Sequence, residues 1–168
     1  MIKLMLLLVL VCCGMTFAAE PTRVSQMGEI RIHGPIDKVF QLFTPKGELG
    51  WIPTWKYTPL YPLSGETERD MVFHTDNETT TWSLVRYEPP HVSVYVLMNA
   101  DLVARIEVEC RPARSNETVM KITYVWTALT EKGREHVSGL SGAEFDKKMA
   151  KWRGWLEEYA KKQGWVKE

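Results

Sequence analysis

One acidic residue and two tryptophans lie close together in a segment punctuated by glycine and proline. Glu48 precedes Trp51 and Trp55 in the run Gly47-Glu48-Leu49-Gly50-Trp51-Ile52-Pro53-Thr54-Trp55. Each indole ring buries a large apolar area and carries one N–H that needs a partner. A carboxyl group buried beside such rings, held by the indole N–H groups or by a lysine, has a raised pKa and suits acid–base chemistry. We therefore consider Glu48 a candidate catalytic residue, with a loop salt bridge as the alternative.

Other residues that could do chemistry are poorly arranged for it. His74, Asp76 and Glu78 alternate as metal ligands on one strand face do, but the Asp76-Asn77 pair indicates a turn and no second histidine is near. No local pattern supplies an activated nucleophile or a phosphate-binding loop. We therefore predict no metal site and no cofactor.

The first 19 residues are typical of a secretory signal peptide. Lys3 precedes an apolar run over 4–11, and small residues follow as far as Ala18 and Ala19, where we expect cleavage. This pattern predicts an exported protein, periplasmic or extracellular. A lipid anchor on Cys12 or Cys13 is the less favoured alternative, because the residue before the modified cysteine should be small.

The remaining chain, residues 20–168, has the length of one domain with a substantial core. Removing the leader leaves one more acidic than basic residue, so nothing indicates nucleic acid or anionic lipid as a partner. No later apolar run is long enough to span a bilayer. Cys110 is the one cysteine left, which excludes an internal disulfide and indicates a buried apolar residue.

Seven strands and one long helix are expected. Alternating apolar residues and short turns predict antiparallel strands over 24–32, 57–61, 71–75, 80–88, 91–99, 102–111 and 118–127. Short helices are predicted after the first strand, and another over 131–140. Apolar residues at helical spacing, from Phe145 to Tyr159, predict a long helix over 141–163. The pattern favours an α+β fold, a curved antiparallel sheet wrapped around the C-terminal helix.

The order of elements, together with several sequence segments, resembles one known superfamily. These segments are Gly47-Glu48 with Trp51 and Trp55, Val72-Phe73-His74-Thr75, Thr81-Trp82-Ser83-Leu84, the run over 124–133, and the tryptophan-rich final helix. They resemble the START-like SRPBCC superfamily, which includes polyketide cyclase-like and birch-pollen-allergen-like proteins. The resemblance implies a helix-grip fold with a cavity for hydrophobic or amphipathic ligands. It implies no shared catalytic motif.

Residues of even number should face the cavity if the sixth strand turns its apolar face inward. On that basis, with Trp51, Trp55 and Phe73 closing the mouth and the final helix adding Met149 and Trp152, we predict ten ligand-binding residues: Trp51, Trp55, Phe73, Trp82, Val94, Ile106, Tyr124, Trp126, Met149 and Trp152. Plain core packing is the alternative for each of them. Tyr124 is a second candidate acid or base beside Glu48.

Three functions remain open from the sequence. We favour a protein that holds a small hydrophobic ligand without changing it, since no activated nucleophile is evident. A cyclase- or dehydratase-type enzyme that uses Glu48 or Tyr124 is the first alternative. A protein-binding module is the second. A pocket carboxyl with a raised pKa would favour the enzyme, and a solid interior would favour the module.

Overall fold

Seven antiparallel strands form one curved sheet in the computed structural model, which describes residues 22–114, 116–140 and 142–166. The sheet order is β1-β7-β6-β5-β4-β3-β2. The strands are β1 (Arg23–His33), β2 (Thr58–Tyr61), β3 (Val72–Thr75), β4 (Thr80–Glu88), β5 (Val92–Met98), β6 (Leu102–Pro112) and β7 (Glu117–Ala128). The predicted strands are confirmed within one residue at each end. The predicted leader, residues 1–19, lies outside the described residues.

Four helices complete the fold: α1 (Ile36–Gln41), α2 (Pro45–Glu48), α3 (Glu131–Ser138) and α4 (Gly142–Lys162). The apolar stripe of α4 buries Phe145, Met149 and Leu156 against the sheet. This sheet-and-helix arrangement is the predicted helix-grip fold. No helix in the described part of the chain has the length and apolar character needed to cross a bilayer.

Two short helices bring the acidic residue of the double-tryptophan segment toward the sheet. Thr44 follows α1 and caps α2, because its Oγ1 accepts a hydrogen bond from the Gly47 N–H at 3.0 Å. Pro45 occupies the first turn of α2, where its missing N–H costs nothing. Glu48 closes the helix, and its N–H donates to the Thr44 carbonyl at 2.9 Å.

The pairing register decides which side chains of β5 face the core. Ile106 and Ala104 belong to the inward face of β6. Tyr95 lies opposite Ile106 and Leu97 opposite Ala104, so the odd-numbered residues of β5 face inward too. Val94 lies opposite Glu107, on the outer face. The prediction that even-numbered residues of the strands neighbouring the sixth face inward is therefore wrong for β5. Whether the odd- or the even-numbered residues of a strand face inward depends on its register with the neighbouring strand, and so on the length of the connection between them. A pattern within one strand cannot reveal this.

Candidate functional site

A small cavity of about 30 Å³ lies between the sheet, α2 and α4. Its lining is mostly aromatic and includes one carboxyl group. The lining residues are Phe43, Pro45, Glu48, Trp55, Phe73, Trp82, Tyr95, Ile106, Val108, Tyr124 and Trp152. The structure thus brings together Glu48 and Tyr124, the two predicted acid or base residues, in one site.

The cavity in this conformation is smaller than a ligand pocket. A void of about 10–15 Å³ holds one water molecule, whereas drug-sized ligands occupy about 300–1,000 Å³. The observed space therefore admits one or two water molecules. An organic guest enters only when side chains of the wall move aside.

Six of the ten predicted ligand-binding residues line this cavity: Trp55, Phe73, Trp82, Ile106, Tyr124 and Trp152. Four do not line it. Val94 is buried on the opposite face of the sheet, for the reason of register given above. Met149 packs against the backbone of Gly28, and Trp126 stacks on the Tyr124 ring with centroids 4.9 Å apart. Both belong to the packed core behind the cavity wall.

Trp51, the fourth of these residues, is a core residue with a satisfied donor. Its Nε1–H donates to the Leu42 carbonyl at 2.6 Å, and its ring packs edge-on against Trp152. The Nε1–H of Trp55 donates to the Pro45 carbonyl at 2.8 Å. The indole N–H groups therefore bind backbone carbonyls, and the expectation that they hold Glu48 is wrong.

Burial is the main influence on the Glu48 carboxyl. It raises the pKa of this group to about 8, and the nearby positive charge of Lys148 opposes part of that rise. No donor in the described part of the chain hydrogen-bonds this carboxyl. Part of the residue's surface remains accessible. At neutral pH the group is mostly protonated, so it can donate a hydrogen bond into the cavity.

Tyr95 is the polar wall residue that the sequence analysis missed. Its hydroxyl donates to the Phe43 carbonyl at 3.0 Å, which ties β5 to the end of α1. Burial, and secondarily the charge of Glu48, raises the pKa of the Tyr95 phenol well above its usual value. Phe43, Pro45 and Val108 also line the cavity and were not predicted.

The one remaining cysteine is unsuited to nucleophilic chemistry. Burial raises the pKa of the Cys110 thiol to about 12, so it stays protonated at physiological pH. Among residues 22–114, 116–140 and 142–166, no three side chains of metal-binding type come together.

Replacement of Trp51 by phenylalanine tests its assignment to the core. Trp51→Phe leaves the buried Leu42 carbonyl without its donor, so we expect a loss of about 1–3 kcal/mol in the free energy of unfolding. Urea denaturation measures this loss. Trp155→Phe is the matched control, because the Trp155 ring is only partly buried and its indole N–H has no protein partner in the described residues. Equal stability of the two variants would contradict the assignment.

Comparisons with known proteins show similarity in structure alone. No protein-family model matches the chain, and no curated protein matches its sequence. Norcoclaurine synthase from Thalictrum flavum, in complex with dopamine and hydroxybenzaldehyde, is 10% identical with a TM-score of 0.58, over 92% of this chain and 98% of that one. CalU16 from Micromonospora echinospora is 14% identical with a TM-score of 0.53, over 83% of each chain.

A third solved structure, an HSP90 activator from Plasmodium falciparum, is 12% identical with a TM-score of 0.52, over 81% of this chain and 92% of that one. These similarities confirm the predicted helix-grip fold. Proteins of this fold differ in function, so the function of this chain has to be argued from its cavity.

Proposed function

We propose that the protein is an exported carrier or sensor that binds a small apolar or amphipathic molecule between the sheet and α4. The observation that carries this proposal is a ring-lined cavity containing one carboxyl group, Glu48, that no donor among the described residues satisfies. Such a lining suits a flat ligand with one hydrogen-bonding group. The similar structure of norcoclaurine synthase is in complex with dopamine and hydroxybenzaldehyde, which supports a ligand of about the size of one aromatic ring with short substituents. The leader pattern over 1–19 supports export.

Ligand entry requires the outer wall of the cavity to open. Trp55 and Trp82 are only partly buried and meet edge-on, with ring centroids 6.0 Å apart. Trp82 also stacks on Phe73, and its Nε1–H donates to Thr75 Oγ1 at 2.9 Å. The opposite wall is formed by buried strand residues, and the partly buried ring of Trp152 is covered by Trp51 and Lys148. The rings of Trp55 and Trp82 are therefore the part of the wall that moves outward most easily. We infer that Trp55 and Trp82 form the gate.

One added methylene group tests the cavity without opening a new space. Val108 lines the cavity, whereas Val94 is equally buried on the outer face of the same sheet. Val108→Ile fills about one CH₂ of a space that holds little more than a water molecule, so we expect at least a tenfold loss of affinity for a probe such as 2-phenylethanol. Val94→Ile is the matched control and should retain wild-type affinity.

The indole N–H signals of Trp55 and Trp82 in an NMR titration report the binding of 2-phenylethanol. We expect them to shift in wild type and in Val94→Ile, and to stay in place in Val108→Ile. Unaltered affinity in Val108→Ile would place the ligand elsewhere. Native mass spectrometry of protein purified from its own host should then identify the natural ligand as a bound mass.

Acid–base catalysis is the second candidate, and the raised pKa of Glu48 favours it specifically. A carboxyl group with a pKa of about 8 is a proton donor near the working pH of most enzymes. A carrier should return its co-purified ligand unchanged after prolonged incubation, in wild type and in Glu48→Gln. If wild-type protein converts that compound, and Glu48→Gln still binds it but no longer converts it, the protein is an enzyme instead.

A further inference from the structure

A lysine ammonium lies over two of the rings that line the cavity. Lys148 Nζ is 4.0 Å from the centroid of the Tyr124 ring and 4.8 Å from that of Trp152. Both rings also line the cavity. A guest that packs against these rings therefore lies next to the ammonium group. The sequence allows a lysine near Glu48 but does not single out Lys148, because one lysine among many on a helix usually faces solvent.

The charge of Lys148 is not neutralised by a partner. Lys147 and Lys162, on the same helix, form ion pairs of 2.7 Å with Glu144 and Glu158. In the residues that the structure describes, no carboxylate lies within ion-pair distance of Lys148, although its side chain is partly buried. Glu48 is the acidic group whose charge acts on it, and that carboxyl is mostly protonated near neutral pH. A partly desolvated ammonium without a counter-charge attracts an anion.

We propose that the ligand is a small organic acid, whose carboxylate pairs with Lys148 while its apolar body packs between Tyr124, Trp152 and the inner wall. This inference rests on the proposed function, since it names the ligand class of that same cavity. The protonated Glu48 carboxyl is compatible with an anion and can donate a hydrogen bond to it. A cationic ligand would instead meet the charge of Lys148 with no ionised acid to offset it.

Three probes of the same shape but different charge test the ligand class. Phenylacetate, 2-phenylethanol and 2-phenylethylamine share a phenyl ring and a two-carbon chain, and near neutral pH they are anionic, neutral and cationic. We expect phenylacetate to bind wild-type protein about tenfold more tightly than the alcohol, as a charge-assisted contact allows, and the amine to bind most weakly. Calorimetry or the indole N–H signals measure the three affinities.

Two lysine variants test whether the charge of Lys148 causes the preference for phenylacetate. Lys148→Met should lower the affinity for phenylacetate about tenfold, to that of the alcohol, and leave the affinity for the alcohol unchanged. Lys147→Met is the matched control: the same change on the preceding residue of α4, where the lysine is already paired with Glu144. It should preserve the preference for the acid.

The outcomes separate this inference from the proposed function. If the alcohol binds and phenylacetate gains nothing over it, or if Lys148→Met keeps the preference for the acid, the inference is wrong and the cavity still binds ligands. A preference for the amine would also overturn it. If none of the three probes binds wild-type protein at millimolar concentration, the proposed function fails, and the inference fails with it.

Discussion

A methyl group added at Gly47 is expected to destabilise the protein by about 3 kcal/mol or more, the upper range for overpacking. A Cβ at this position would lie 1.8 Å from the Gln41 carbonyl oxygen and 2.9 Å from the Leu42 Cα, which are backbone atoms that no rotamer change can move. Only glycine lets α2 fold back this closely on α1. Since Glu48 follows directly, the same contact fixes the position of the cavity carboxyl.

Urea denaturation of Gly47→Ala measures the effect, and Gly154→Ala is the matched control. A Cβ at Gly154 meets no atom within 4 Å, in the middle of α4. Alanine there should stabilise the protein by about 0.5–1 kcal/mol, because it restricts the unfolded chain and suits a helix. If Gly47→Ala were as stable as wild type, the close approach of α1 and α2 would be wrong.

The fold was predictable because its signals are local. Apolar alternation over β6 and the spaced stripe of α4 each specify one element and the face it buries. Short turns between consecutive strands then dictate antiparallel neighbours, which yields nearly the whole sheet order. Short helices after the first strand were predicted without bounds, because a helix of four residues such as Pro45–Glu48 carries too little periodicity to locate its ends.

The site was only partly predictable because it depends on contacts between elements. Residues at positions fixed by alternation, such as Trp82, Ile106 and Tyr124, do line the cavity. Val94 does not, because the register of β5 places its even-numbered residues on the outer face of the sheet. Trp51 does not, because its ring packs in the core against Phe43 and Trp152, and its N–H donates to a carbonyl nine residues earlier in the chain. Neither the register of β5 nor the contacts of Trp51 can be predicted from the local sequence.

The size of the cavity also lies beyond sequence. The same rings could interlock completely or leave a large void, since both arrangements use the same residue types. The structure shows an intermediate case, a space for one or two water molecules beside Glu48. For the proposed function, the inferred gate at Trp55 and Trp82 and the protonation of Glu48 therefore matter more than the volume of the closed state.

The stability of the protein is expected to fall as pH rises from about 5 to about 8, because Glu48 keeps its proton longer in the folded state. An unfolded glutamate ionises near its ordinary pKa of 4.5, whereas burial raises the pKa of Glu48 to about 8. Between these values the folded state binds more protons, so rising pH favours unfolding. Glu48→Gln has no such proton. We expect its stability to match wild type near pH 5 and to exceed it near pH 9 by about 2–3 kcal/mol, less than full burial would give.

Urea denaturation of both proteins across this pH range measures the difference, and Glu88→Gln is the control. Glu88 is an exposed carboxyl whose pKa is lowered by its hydrogen bonds with Arg86, so replacing it should give a difference from wild type that is constant above pH 5. An NMR titration of the Glu48 carboxyl carbon gives its midpoint directly. Lys148→Met should move that midpoint upward, because the lysine charge favours the ionised form. A wild-type midpoint near 4.5 would show that the carboxyl is solvated, and it would remove the proton donor from the cavity.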